Sequence, residues 1–196
     1  MNYSIQLLSE THLPMVDAFS CVETAEDLAN VRAKEKRRIR KHSQEMQDYL
    51  KKEALQEQNN ALSATHLFID EDNNRIMAYV SLCNDAIRLE FEEQKEYELR
   101  YTTVPAMKIA RLAVANEYKH QGLGSSLIQF SAYIAQRVRR FSGIVFLTLD
   151  CYAHRETFYK GIGFVRNLNQ PNQLPFDSPI SMRIHLDTYM EQMDET

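Results

Sequence analysis

The chain has 196 residues, 44% of them hydrophobic and 26% charged, with a formal net charge of −4. That composition suits a single globular domain over 1–196 with a sizeable core, and the net charge does not mark the whole surface as one for nucleic acid. No apolar run approaches the ~20 residues of a membrane span, and the N-terminal residues lack the basic and apolar regions of a secretory signal. Cys21, Cys83 and Cys151 are too few, and too far apart, for a disulfide framework or a zinc cluster. No metal site and a cytoplasmic location are therefore expected.

Tyr3, Ile5 and Leu7 alternate with polar residues and predict a first strand. Thr11 and Pro14 open a short helix. The stretch 24–59 contains neither proline nor glycine and shows a thin helical periodicity through Leu28, Val31, Ile39, Met46, Leu50 and Leu55. It predicts one long charged helix or two, with a single packed stripe. Within it, Arg32–His42 holds seven basic residues against one acid. That run is either a solvated helix face or a contact surface for an acidic partner or RNA phosphates.

His66–Asp70 and Ile76–Leu82 predict a hairpin across Glu71–Asn74, with Ala86–Leu89 prolonging its second strand. Glu90–Tyr101 reads as a loop or short helix. Met107–Val114, apolar on both faces apart from Lys108 and Arg111, predicts a central strand. A helix follows Gly122, with Leu123, Leu127, Phe130, Ile134, Val138 and Phe141 on one face and Gly143 as its stop. Ile144–Leu149 is a second central strand, so the segment forms a βαβ unit with parallel strands. His154–Lys160 predicts a short helix stopped by Gly161. A proline-rich loop covers 167–179, and Ile180, Met182, Ile184 and Leu186 alternate as a half-buried antiparallel strand.

All five glycines fall between Gly122 and Gly163. Around Lys119-His120-Gln121-Gly122-Leu123-Gly124-Ser125 a buried strand enters and an amphipathic helix leaves. Backbone amides, a helix dipole and a lysine then converge where a pyrophosphate could sit. The spacing is neither a P-loop nor the dinucleotide fingerprint. The alternative is a tight turn with nothing bound.

These residues resemble the GCN5-related N-acetyltransferases (GNAT), whose Arg/Gln-x-x-Gly-x-Gly/Ala loop holds the acetyl-CoA pyrophosphate. Here the loop is Lys119-His-Gln-Gly122-Leu-Gly124, with lysine at the first position. Ile109–Val114 is similar to the strand that pairs with the pantetheine arm, and Phe158-Tyr159-Lys160-Gly161-Ile162-Gly163-Phe164 to the family's late Phe-Tyr-x-x-x-Gly-Phe. The resemblance covers Met107–Phe164. A looser one, to a bacterial branch with toxin-like members, covers Tyr49–Leu89 and Thr148–Tyr152.

The resemblance implies an α/β fold with a central mixed sheet of about six to seven strands flanked by helices. To it the long N-terminal charged helix would be an addition, and 104–164 would be the acetyl-CoA-binding core. It implies acetyl-CoA as co-substrate, held by Leu112, Ala113, Val114, Lys119, His120, Gln121, Gly122, Leu123, Gly124 and Ser125. It implies Tyr159 as general acid; the alternative is a tyrosine that packs the last helix. Amides of Leu112–Val114 could polarise the thioester carbonyl.

The base is open among Glu90, Glu92, Glu93, Glu96 and a water chain. Asp150 is either a ligand contact or a helix cap, and Cys151 is read as a core residue rather than a nucleophile. The implied reaction is acetyl transfer to a primary amine by direct attack in a ternary complex, the acceptor being a small molecule or peptide. Alternatives are toxin-type acetylation of aminoacyl-tRNA, with tRNA contacted through Arg32–His42, and a non-catalytic acyl-CoA-binding regulatory module. A homodimer is left open and no membrane partner is expected.

Overall fold

The structure, a computed structural model, describes residues 2–171 and 177–194. Of the loop expected over 167–179, residues 172–176 lie outside the described residues. Hydrogen bonds link the strands β1 (Tyr3–Leu7), β2 (Ala64–Asp70), β3 (Arg75–Arg88), β4 (Thr103–Val114), β5 (Phe146–Cys151), β6 (Val165–Arg166) and β7 (Ile180–His185) in the order β1-β2-β3-β4-β5-β7-β6. The helices are α1 (Leu13–Ala18), α2 (Ala33–Lys52), α3 (Ala54–Asn59), α4 (Phe91–Glu96), α5 (Leu123–Val138), α6 (Glu156–Ile162) and α7 (Leu186–Asp194). The chain divides into two compact units. One comprises the residues up to Leu82 with Arg111–Ile128, the other Cys83–Ala110 with the residues from Gln129 onward.

In the first unit β1 pairs antiparallel with β2, and β2 with β3 across the expected turn. The turn is held by Asp70, whose carboxylate accepts from the amides of Asp72 (3.0 Å) and Asn73 (3.1 Å) and from the Asn73 side chain (2.8 Å). Asn74 supplies the left-handed residue, φ 51°. The stretch 24–59 resolves into turns up to Arg32 followed by α2 and α3. Helix α2 packs through Tyr49 and Leu50 on a core that includes Leu67, Phe68, Met77 and Tyr79.

The alternation in β1 marks a strand as expected, and Tyr3, Ile5 and Leu7 on it are 55%, 38% and 51% exposed. Period-two patterning fixes which residues share a face but not whether that face is covered.

In the second unit β4 and β5 run parallel, from Ala106 opposite Phe146 to Ile109 opposite Leu149. That ladder ends at Ile109, while β4 continues to Val114. Strand β7 pairs antiparallel with both β5 and β6. Ile87, Leu89, Val104, Ala106 and Phe146 form its core cluster, with Tyr97 and Leu99 packed against it. Arg183, expected on the polar face of β7, is only 3% exposed. Its guanidinium meets the equally buried Glu93 carboxylate at 2.6 Å and donates to the Arg166 carbonyl at 2.9 Å. A buried charge persists only when so paired and hydrogen-bonded.

Two helix ends differ from expectation. Helix α5 stops at Val138, and Phe141 beyond it is 91% exposed. Helix α6 runs through Gly161 and stops at Gly163, whose φ of 108° forms the left-handed cap. Helix α7 and the short β6 add elements that the periodicity did not indicate.

Candidate functional site

In the first unit, the end of β4 leads into a single 3-10 turn over Asn116–Tyr118 and then into the glycine loop. Each residue of the turn is anchored. The Ala115 amide donates to the Met77 carbonyl at 2.8 Å, and the Asn116 amide to the Ser20 carbonyl at 2.9 Å. Arg75 donates to both Glu117 carboxylate oxygens at 2.7 Å. The buried Tyr118 hydroxyl donates to Asp70 at 2.8 Å. Burial, together with that carboxylate, pushes the Tyr118 phenol up to about 12.

Lys119 is also committed. Its ammonium lies 2.9 Å from Glu23 and 3.2 Å from Asp27, and its side chain is 15% exposed. Asp27 accepts from the Thr24 amide at 2.8 Å, and its carboxyl is held well below the usual carboxylate range by that bond and those to Thr24 Oγ1 and Lys119. The lysine therefore ties the loop to the segment ahead of α2.

What the loop presents outward is backbone. His120, Gln121 and Gly122 are exposed, with left-handed φ of 61° at His120 and 81° at Gly122. The amides of 120–124 donate to no group among the described residues, whereas Ser125 and Ser126 already bond back to the Gly122 carbonyl. A Cβ on Gly122 would meet nothing within 4 Å. The open space and free donors at the start of α5 are what a phosphate requires. Leu112 and Val114 are half-buried and Ala113 is buried at the end of β4.

Tyr159 belongs to the second unit, on α6. Its ring packs edge-on to Phe158 (5.1 Å) and Phe164 (5.9 Å). Its hydroxyl makes no hydrogen bond among the described residues, and burial lifts the phenol to about 12, so it carries its proton at neutral pH. The Cys151 thiol is buried against the Met182 sulfur at 3.5 Å and is likewise pushed up to about 12 by burial. It has the environment of a core residue, not of a nucleophile.

Three acids of this unit are held by cations. Glu93 accepts from Arg183, from the Leu168 amide at 3.1 Å and from the Glu90 amide at 2.7 Å. Glu156 is clamped by Arg166 (2.6 and 2.7 Å) and Lys160 (2.8 Å), which hold it down at about 2. Asp150 does not cap the following turn, whose N-cap is Tyr152. It pairs instead with Lys108 at 2.6 Å. Lys108 and Asp85, which accepts from the Thr148 hydroxyl at 2.6 Å, are polar-site residues that the sequence reading did not single out. The one signal was Lys108 itself, which with Arg111 interrupts a strand otherwise apolar on both faces.

The description "Acetyltransferase (GNAT) domain" matches residues 63–166, more than half of the chain. The chain belongs to the GNAT acetyltransferase family. It is an N-acetyltransferase with acetyl-CoA as its co-substrate. Among curated proteins no sequence matches it.

Solved structures with the same fold include a tyrosine-to-phenylalanine variant of KacT, at TM-score 0.74 and 14% identity over 98% of this chain and 99% of that one. AtaT complexed with acetyl-methionyl-tRNAfMet matches at TM-score 0.72 and 15% identity over the same shares. An AtaT variant bound to the antitoxin AtaR and acetyl-CoA matches at TM-score 0.68 and 14% identity. The expected GNAT fold and the likeness to toxin-type members are thus both found. Among the described residues no helix of this acetyltransferase is long and apolar enough to cross a membrane.

Proposed function

We propose that this acetyltransferase moves the acetyl group of acetyl-CoA onto the α-amine of an aminoacyl-tRNA, by direct attack in a ternary complex. The observation that carries the reading is the open basic face of α2. Arg32, at its N-cap, and Lys34 and Arg37 are exposed, and none has an ion-pair partner among the described residues. Cations free of local acids can release counterions from a phosphate backbone on contact, even on a chain of net charge −4. The likeness in fold to AtaT, which has been captured with an acetylated aminoacyl-tRNA, supports the same acceptor class.

The chemistry agrees. Glu93 and Glu156 are committed to cations, and burial lowers the His185 imidazole. None of these is a strong base. A lysine amine, with pKa ≈ 10.4, would need one; an α-amine, with pKa ≈ 7.7–8.0, is partly neutral without one. The acetyl-CoA pyrophosphate sits on the amides of 120–124, and the pantetheine arm follows Leu112–Val114. As the N–C bond forms and the C–S bond breaks, the amine releases a proton to water, the CoA thiolate takes one from Tyr159, and the Tyr159 phenolate regains its proton from solvent. A phenol near 12 gives its proton to a thiolate only in concert with bond cleavage.

The test is to incubate the purified protein with acetyl-CoA and a panel of charged tRNAs, then to analyse the released aminoacyl-adenosines by mass spectrometry. Acetylated aminoacyl-adenosine, and weaker transfer after Lys34→Ala and Arg37→Ala, is the expected result. Acetylation of small amines or peptides with no transfer to any tRNA overturns the tRNA acceptor in favour of the broader primary-amine reading.

A further inference from the structure

The second unit contains a polar hollow of about 270 Å³ into which three charged side chains from three strands converge. Asp85 comes from β3, Lys108 from β4 and Asp150 from β5, and Arg88, Asn167 and Ser181 complete the wall. The wall is ordered by polar contacts. Ser181 lies opposite Asp150 in the ladder, and the Asn167 side-chain amide donates to the Ser181 hydroxyl at 2.8 Å.

The three charges are not equivalent. Lys108 is paired with Asp150 at 2.6 Å, and both side chains remain about a third exposed. Burial alone would favour loss of the Lys108 proton, but the bond to Asp150 and the charges of Asp150 and Asp85 outweigh it, so the group stays an ammonium. Asp85 has only neutral donors in contact, the Thr148 hydroxyl at 2.6 Å and the Ala86 amide at 2.8 Å. Two carboxylates and two cations line this hollow, so its formal charge is zero, but Asp150 and Lys108 pair with each other while Asp85 and the exposed Arg88 have no ion-pair partner among the described residues. Lys108 also lies four residues before Leu112 on β4, the strand read as the pantetheine rail.

We propose that this hollow seats the amine of the acetyl acceptor, with Asp85 as the carboxylate that holds it and Lys108 as the cation that limits how tightly. The proposal rests on the reading that the acceptor is an amine, but not on the tRNA that carries it. An α-ammonium entering the hollow gains a charge-assisted bond to Asp85 and meets repulsion from Lys108, and it gives its extra proton to water before the neutral amine attacks. Substitutions at the two positions therefore act in opposite directions. A merely structural charge cluster would be weakened by either change.

The experiment measures initial rates with two amine probes, methionyl-tRNA and the small ester methionine methyl ester. Wild type is compared with Asp85→Asn and Lys108→Met, with acetyl-CoA affinity measured by calorimetry and folding checked by thermal melts. The expected result is an acceptor KM raised about tenfold by Asp85→Asn and lowered by Lys108→Met, with acetyl-CoA affinity within about twofold of wild type in both. Asp85→Asn with an unchanged acceptor KM, or both variants shifting KM the same way, overturns the proposal. Transfer to the methyl ester without transfer to any charged tRNA of the panel removes the tRNA reading and leaves this one to be judged on the ester. Transfer neither to the ester nor to any charged tRNA overturns both.

Discussion

The Lys119 ammonium is held between Glu23 and Asp27, at 2.9 and 3.2 Å, across 96 and 92 residues of sequence. Glu23 is itself fixed on its backbone, its amide donating to Ser43 Oγ at 3.0 Å and its carbonyl accepting from Arg40 Nε at 3.3 Å. A single buried acid thus joins the glycine loop to the helix that carries the basic face.

Lys119→Met leaves two carboxylates without their cation and is expected to destabilise the fold by about 1–3 kcal/mol, with Lys119→Met/Glu23→Gln costing less than the sum of the single changes. Urea titrations check this. Acetyl-CoA affinity should fall more for Gly122→Ala than for Lys119→Met, because Gly122 holds φ at 81° where alanine is strained, and the lysine is engaged elsewhere. The reverse ranking in calorimetry would return the phosphate contact to the lysine side chain.

Tyr159→Phe removes a hydroxyl that has no partner among the described residues. Folding stability should stay within about 0.5 kcal/mol of wild type, as for changes that break no contact. Turnover should drop by about 10²–10⁴, the range of a lost general acid, with acetyl-CoA affinity retained. Turnover left unchanged would reassign the ring to packing against Phe158 and Phe164.

Cys151 should resist alkylation by iodoacetamide at pH 8 in the folded protein, since burial holds its thiol near 12 and the thiolate is the reactive form. Cys151→Ala should keep its turnover. Rapid labelling together with loss of activity would make it a participant in the chemistry.

Glu156 gives a pH-dependent stability of defined sign. Its folded value, about 2, lies below the ordinary 4.5, so the unfolded chain binds the proton more readily. The contribution is fully present above about 4.5 and disappears as pH falls toward about 2. Wild type should melt above Glu156→Gln at pH 6, and the two melting curves should converge as pH approaches 2. A gap that persists at the acid end would point to packing rather than charge.

The sequence exposed those parts of the fold that local rules govern. The parallel pairing of β4 with β5 followed from two apolar runs around a glycine-started amphipathic helix, and the positive φ of Gly122 from its place in the loop. Distant partnerships left no such trace. Nothing near Lys119 indicates Glu23, nothing around Arg183 indicates Glu93, and the alternation of Tyr3, Ile5 and Leu7 reads the same whether the face is covered or open. The hollow was illegible for the same reason: Asp85, Lys108 and Asp150 stand on separate strands, and only sheet order gathers them.

The position of β7 sets a timetable for the protein in the cell. This strand lies between β5 and β6, both made before it, and it brings Arg183 to a glutamate translated ninety residues earlier. Until Arg183 has cleared the ribosome, the second unit lacks an interior strand and Glu93 lacks its counter-charge. The ribosome-bound chain therefore cannot complete the unit that carries Tyr159 before β7 has been made.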